Sequence, residues 1–142
     1  MTEKRGRYKT KRRQAATVSE HSHQANVITW ALLQEGKYPE LALLFAVPNG
    51  ARVSIGQAVK LKQEGMKAGV PDLVLPVARQ GYHGLFIEMK KPTGDVRTEQ
   101  EQWLNALSNQ GYLATVCYSD QDAMDTIVSY LDMPEYERPN WY

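Results

Sequence analysis

Apolar residues recur along the 142-residue chain with spacings that predict helices in some segments and strands in others. In residues 98–109 and 120–131 the apolar positions fall three or four apart, which is the spacing of one helix face. Residues 15–33 show the same pattern, and stepping back along the stripe from Ile28 reaches Glu20. Glu20 is therefore predicted to lie on or near the buried side of the first helix.

Capping residues and apolar runs predict the remaining elements. Ser54 and Gln57 form an S-x-x-Q capping box, which predicts a helix to about residue 64 that Gly65 can close. Apolar runs predict four buried strands, at residues 41–47, 72–77, 84–90 and 112–118. The order helix, strand, helix, strand, strand, helix, strand, helix is typical of an α/β fold with a small mixed sheet between helices.

Three charged residues interrupt the two hairpin strands, although ionised groups are costly to bury unless they are paired. Side chains alternate along a strand, so Glu88 and Lys90 share one face while the core residues lie on the other. If the hairpin turns about Gln80, Asp72 lies directly across from Glu88; a turn shifted by one or two residues is the alternative. Two opposed carboxylates repel, and one is driven to protonate unless a cation lies between them.

The residue types in this cluster favour a hard divalent cation, because the candidate ligands are all oxygen atoms. Mg²⁺ or Mn²⁺ held by Asp72 and Glu88 can polarise a phosphate, and Lys90 beside it can orient the attacking water or stabilise negative charge. The cluster therefore predicts metal-assisted phosphodiester hydrolysis. The alternative is a solvated Asp–Lys–Glu cluster at a sheet edge, against which the apolar character of both strands argues.

The motifs P-D at 71–72 and E-M-K at 88–90 resemble the PD-(D/E)XK nuclease signature, and the order of elements is similar to that of those enzymes. The longer stretches GMKAGVPDLVLP and GLFIEMKKPTGDVRTEQEQWLNALSNQGYLATVCYS resemble the VRR-NUC (virus-type replication-repair nuclease) branch. That branch typically shows G-x-P-D, then E-x-K, then a Gln shortly before a Trp-containing helix. The resemblance spans residues 20–131 and implies an α/β fold with a PD-(D/E)XK restriction-endonuclease-like core.

The resemblance also implies a set of metal ligands. Asp72 and Glu88 are the implied metal-binding carboxylates, with the main-chain carbonyl of Met89 as an added ligand and Mg²⁺ or Mn²⁺ as the ion. Glu20 matches the acid on the first helix that completes such sites, directly or through water. An exposed acid at this position is the alternative for Glu20.

The resemblance also implies roles for three further residues. Lys90 is the implied catalytic lysine, and Gln100 matches the catalytic-site glutamine that opens the later helix. An ordinary polar residue at a helix N-terminus is the alternative for Gln100. Asn49 lies where the family has a Pro-Asn loop beside the site.

Positive charge is concentrated at the N-terminus. Residues 1–14 hold seven of the 17 Lys and Arg but one of the 16 Asp and Glu, giving a net charge of +6 there and −5 over the rest. Such an arm suggests a polyanionic partner, usually nucleic acid, with a solvated tail as the alternative. We expect a flexible basic arm at 1–14, a nuclease domain at 15–132 and a C-terminal tail at 133–142.

Several other features exclude classes of function. No apolar run approaches the ~20 residues that span a bilayer, so no membrane association is expected. The N-terminus lacks the apolar region of a secretory signal, and the single Cys117 excludes an intramolecular disulfide. We therefore expect a cytoplasmic protein, in the host cytoplasm if the chain is phage-encoded. No Gly-rich phosphate loop is present, which argues against a nucleotide cofactor.

The remaining reactive side chains have ordinary explanations. Cys117 is interpreted as a core residue, and His21 and His23 as solvated residues and not a metal pair. Three lysines around the second helix and its exit are interpreted as a solvated face, with contacts to a DNA backbone as the alternative: Lys60, Lys62 and Lys67.

Stand-alone members of the branch resemble structure-selective endonucleases. The first hypothesis is a Mg²⁺-dependent DNA endonuclease that resolves four-way (Holliday) junctions in repair or recombination. A homodimer is expected, because a two-fold dimer matches a symmetric junction with two cleavage sites. A flap-type or nonspecific nicking nuclease is the alternative, and a catalytically silent DNA-binding or assembly subunit is an alternative of another class.

Overall fold

A computed structural model describes residues 19–48 and 53–140, and within them the chain forms four α-helices and four β-strands. The helices are α1 (Glu20–Gln34), α2 (Ile55–Gln63), α3 (Thr98–Asn109) and α4 (Asp120–Leu131). The strands are β1 (Phe45–Ala46), β2 (Leu73–Leu75), β3 (Leu85–Met89) and β4 (Leu113–Cys117). This order is the predicted one, and α3 and α4 begin and end at the predicted residues.

The strands form one mixed sheet in the order β1-β2-β3-β4. β2 is antiparallel to both β1 and β3, whereas β3 and β4 are parallel and are joined by α3, the crossover that a parallel pair requires. In the hairpin, Leu73 pairs with Ile87 and Leu75 pairs with Leu85, which centres the turn on Gln80 as predicted. The mixed sheet between helices confirms the predicted α/β class.

The hydrophobic core lies between one face of the sheet and the helices α1 and α4. The odd-numbered residues of β3 are buried there, as the strand alternation predicts: Leu85, Ile87 and Met89. Val27 of α1 and Ile127 of α4 pack into the same cluster. The opposite face of β3 carries Phe86, Glu88 and, just after the strand, Lys90, so the core fixes which side of the sheet the charged residues occupy.

The predicted buried strand at residues 41–47 is wrong in most of its length. A 3₁₀ helix, Pro39–Leu43, occupies its first part and buries only Leu41. The strand that follows has two residues, and Phe45 is 49% exposed. Within the described residues β1 pairs only with β2 and both of its residues are exposed, so this apolar run lies at a sheet edge that no helix covers fully.

The loop between α2 and β2 is held against the start of α3. The predicted capping box of α2 is present, with the Gln57 N–H donating to Ser54 Oγ at 3.2 Å and Gln57 Oε1 accepting from the Ser54 N–H at 3.4 Å. At the other end of the loop, Gly69 has φ +88°, and an added Cβ would lie 2.7 Å from the main chain of Glu99. The Trp103 indole N–H donates to the carbonyl of Ala68 at 3.0 Å. These contacts fix the loop that leads into the P-D motif.

No helix within residues 19–48 and 53–140 is long and apolar enough to cross a membrane.

Gly69→Ala is expected to destabilise the protein more than Gly65→Ala does. Both glycines have positive φ, +88° and +103°, which costs an alanine about 1–2 kcal/mol, but an added Cβ at Gly65 meets nothing within 4 Å. The clash with Glu99 should add about 1–3 kcal/mol at Gly69 alone. Urea unfolding of the two variants measures this difference, and equal losses would show that the loop does not depend on close contact with α3.

Candidate active site

The ends of β2 and β3 bring the three predicted charged residues together. The hairpin register, continued one residue beyond Leu73, places Asp72 opposite Glu88. All three side chains are buried, with exposures of 9% for Asp72, 2% for Glu88 and 6% for Lys90. The Met89 main-chain N–H donates to Asp72 Oδ2 at 2.8 Å, which anchors the first carboxylate to the neighbouring strand. The sheet therefore assembles the two halves of the sequence motif.

Gln100 holds one oxygen of Glu88. Its Nε2 donates to Glu88 Oε1 at 2.7 Å, while its Oε1 accepts the Arg97 main-chain N–H at 2.9 Å. The second contact orients the amide, because only the NH₂ end can then donate to the carboxylate. The Lys90 ammonium lies 3.7 Å from the same Glu88 oxygen. Gln100 thus lies in the site, as the resemblance implies, and also caps the first turn of α3.

Burial makes the charged forms of both carboxylic acids unfavourable. Burial, followed by the nearby charge of Asp72, raises the pKa of Glu88 to about 8. Burial also raises the pKa of Asp72, although the Met89 N–H and the Lys90 ammonium oppose the rise. Both acids are therefore held toward their protonated forms unless a cation lies beside them.

The Glu88 carboxyl keeps one oxygen available. Its Oε2 is buried and has no hydrogen-bond partner among residues 19–48 and 53–140, an arrangement that costs free energy in a folded protein. A cation bound beside Asp72 would satisfy this oxygen and remove the repulsion between the acids. In a strand the N–H and C=O of one residue point to the same neighbour, so the Met89 carbonyl lies on the Asp72 side as a third oxygen donor. This donor set fits Mg²⁺ or Mn²⁺.

These residues line one side of a cleft of about 350 Å³. Glu20, at the first turn of α1, lines the same cleft, and its charge raises the pKa of both Asp72 and Glu88. In the described part of the chain, however, no three His, Cys, Asp or Glu side chains form a compact metal-binding group. Glu20 thus lies in the cleft with the two acids, and its role toward a metal, direct or through water, stays a prediction.

Other sequence candidates lie elsewhere. Cys117 is a buried core residue, as expected, and burial raises the pKa of its thiol to about 11. The expectation that His23 is solvated is wrong: it is 9% exposed, and its Nδ1 accepts the Asp120 main-chain N–H at 3.2 Å, joining α1 to α4. The apolar stripe of α1 runs past this position, which is why a histidine there is buried. Asn49 and the arm at 1–14 lie outside the described residues.

Arg97 was not predicted to lie at the site, and Lys62 and Lys67 were predicted to lie on a solvated face. All three line the cleft with the acids. The available signal for Arg97 was its place immediately before α3, the helix that Gln100 opens. For the lysines, the signal was their position on α2 and on the loop that follows it, because that loop leads into the G-V-P-D motif.

A mixed sheet with two buried acids and a lysine at the ends of adjacent strands defines a nuclease-type α/β core. The VRR-NUC domain family model matches residues 6–121, so the chain belongs to the VRR-NUC family. It is similar to a solved structure named VRR_NUC domain protein, with a TM-score of 0.72 and 30% identity over 83% of this chain and 92% of the matched chain. This likeness fits a PD-(D/E)XK-like core. No curated protein matches the chain.

In the metal-free protein the free energy of unfolding is expected to fall between about pH 4.5 and about 8. Folding raises the pKa of Glu88 from 4.5 to about 8, so in this interval the folded state binds a proton that the unfolded state has released. Glu88→Gln has no such proton, and its stability should fall less over the same range. Urea unfolding in EDTA at a series of pH values measures both slopes.

Glu101→Gln, a change at an exposed acid of α3, is the matched control and should follow the wild-type curve. Added Mg²⁺ should reduce the fall in the wild type, because a bound cation favours the ionised acids. Parallel curves for wild type and Glu88→Gln would contradict this explanation.

Proposed function

We propose that the protein is a Mg²⁺- or Mn²⁺-dependent, structure-selective DNA endonuclease that resolves four-way junctions as a homodimer. Membership of the VRR-NUC family supports a nuclease-type function with DNA as its substrate. The observation that carries the metal dependence is the buried Glu88 Oε2, which has no hydrogen-bond partner in the described chain and lies in a cluster with Asp72 and Lys90. A catalytically silent subunit has no evident need for this costly arrangement.

Asp72, Glu88 and the Met89 carbonyl would hold the ion, with Glu20 acting through water. A divalent ion at these ligands supplies Lewis acidity to the phosphate and lowers the pKa of water. Gln100 keeps Glu88 Oε1 engaged at 2.7 Å and so leaves Oε2 as the donor. Asp72 is held in place by the Met89 N–H at 2.8 Å. The chain's residues thus present preorganised oxygen atoms and exclude most water from them.

Lys90 is the group that would act on the reacting phosphate. Its ammonium is 3.7 Å from Glu88 Oε1, and an ammonium has three N–H groups, so this ion pair would leave others to reach a water or a phosphate oxygen. The water oxygen bonds to phosphorus, one phosphorus–oxygen ester bond breaks, and the water proton is released to solvent. The departing oxygen takes a proton, giving one hydroxyl end and one phosphate end. Lys90 stabilises the negative charge that develops on the phosphoryl oxygens.

The homodimer rests on the symmetry of the substrate and on an available surface. A four-way junction has two equivalent strands to cut, which a two-fold dimer can reach together. Within the described residues β1 is an edge strand paired on one side only, with Phe45 half exposed. The exposed apolar residues of this edge make it a candidate surface for the second copy.

Asp72→Asn and Lys90→Met are each expected to lower cleavage of a four-way junction by at least about 100-fold, with paired symmetric nicks lost in both. The asparagine keeps an oxygen for the Met89 N–H, and the methionine keeps most of the buried volume, so both variants should fold. Lys91→Ala, at the exposed neighbour of Lys90, is the matched control and should cut at the wild-type rate. Each protein is incubated with Mg²⁺ or Mn²⁺ and labelled junction, flap, single-stranded or duplex DNA.

The pattern of products separates the candidate functions. Symmetric nicks on the junction support the resolvase. Cutting of flaps, or equal cutting of every substrate, would agree with phosphodiester hydrolysis but reject the junction-resolving role. No cutting with either ion, together with DNA binding, would indicate the silent binding subunit.

Deletion of residues 1–14 is expected to weaken DNA binding and to flatten its dependence on salt. The segment carries a net charge of +6, and each phosphate contact adds about 0.9 to the slope of log affinity against log salt on duplex DNA. Fluorescence anisotropy with labelled duplex in EDTA, between ~50 and ~200 mM salt, measures the slope. An unchanged slope would show that the arm does not contact DNA.

A further inference from the structure

The cleft is lined by more basic side chains than acidic ones. Four cations line it, namely Lys62, Lys67, Lys90 and Arg97, against three carboxylates, those of Glu20, Asp72 and Glu88. Lys90 is committed to Glu88 at 3.7 Å. Within residues 19–48 and 53–140, the other three cations form no ion pair. A divalent ion at the acids would increase the positive excess further.

Like charges that line one cleft add their potentials there, which makes the cleft attractive to anions. Lys62, Lys67 and Arg97 are exposed, at the open side of the cleft, whereas Asp72, Glu88 and Lys90 are buried in its floor. A site that only had to hold a divalent cation would gain nothing from cations around its mouth. A site that must receive a polyanion gains both affinity and orientation from them.

The fold holds these cations in a defined arrangement around the floor. Lys62 lies in the last turn of α2, and Lys67 lies in the loop that follows. That loop is fixed to α3 by the Trp103 indole N–H, which donates to the Ala68 carbonyl at 3.0 Å, and by the close approach of Gly69 to Glu99. Arg97 directly precedes α3. The lysines and the arginine therefore belong to two elements that are held in contact.

We propose that Lys62, Lys67 and Arg97, here termed the rim cations, bind the backbone phosphates next to the reacting phosphodiester. This role rests on the proposed nuclease function and adds its substrate-positioning groups. The contacts are sequence-independent, because they reach phosphates and not base edges. They hold the strand so that the phosphate over the floor lies beside Lys90. Trp103 acts as a positioning residue, since it holds the loop that carries Lys67.

Lys60 supplies a matched control on the same helix. It lies two residues before Lys62, which is about 200° around the helix, and it lines a separate groove with Gln57 and Glu64. It has the same charge and is likewise exposed. A general effect of positive charge would involve Lys60 as much as Lys62, whereas binding in the cleft involves only Lys62.

The test measures binding without metal, so that it does not depend on catalysis. Single alanine variants at Lys60, Lys62, Lys67 and Arg97 are compared by anisotropy with labelled duplex and junction DNA in EDTA, across a salt series. Each rim variant should weaken binding roughly tenfold and lower the salt slope by about 0.9 on duplex DNA, and Lys60→Ala should change neither. Arg97→Ala keeps the main-chain N–H that holds Gln100, so it removes only the guanidinium. Thermal unfolding checks that every variant folds.

The same variants are then assayed for cleavage with Mg²⁺. The proposal expects the rim variants to need more DNA for half-maximal rate, with a smaller change in the rate at saturation. Wild-type binding and cleavage in all three rim variants would overturn the role of the rim cations and leave the nuclease standing. Equal losses for Lys60→Ala and Lys62→Ala would overturn it in favour of a diffuse charge effect. A wild-type protein that neither binds nor cuts DNA would overturn the nuclease function itself.

Discussion

Two carboxylic acids are buried side by side at the ends of adjacent strands, and the residues around them are arranged to offset their charge. Asp72 and Glu88 are almost without solvent, and burial raises the pKa of both, that of Glu88 to about 8. A folded protein tolerates such a pair only where something offsets the repulsion. Here Lys90, the Met89 N–H and Gln100 offset part of it, and Glu88 Oε2 has no hydrogen-bond partner in the described chain.

Elements on both faces of the sheet position Asp72 and Glu88. The core between α1, α4 and the odd-numbered side chains of β3 forces Glu88 onto the opposite face of the sheet. From that opposite side, the start of α3 provides Gln100, and the loop before β2 is fixed to α3 through Ala68 and Gly69. The acids are thus held by rigid strands, while the groups that meet the substrate lie on helix ends and a loop. This division suits a site that must keep its ligand geometry while it admits a polymer.

The cleft has acids in its floor and cations at its open side. The acids of the floor favour a divalent cation, and the rim cations, which have no ion-pair partner in the described chain, favour a polyanion. On the proposed function, a bound phosphate backbone would offset the positive charge that a divalent ion would add to that of Lys90 and the rim cations. Metal and DNA binding are therefore expected to support each other.

Sequence patterns were enough to predict the order of elements, the limits of α3 and α4, the hairpin centred on Gln80 and the cluster of Asp72, Glu88 and Lys90. These features follow from local periodicity and from pairing across one short turn, which are properties of neighbouring residues. Packing between elements determines three features that local patterns did not predict: β1 is a two-residue exposed edge strand, His23 is buried, and Lys62, Lys67 and Arg97 share a cleft with the acids. The reason is that burial at a sheet edge or on a weakly amphipathic helix, and proximity between distant segments, depend on how elements pack. No local pattern of residues encodes that packing directly.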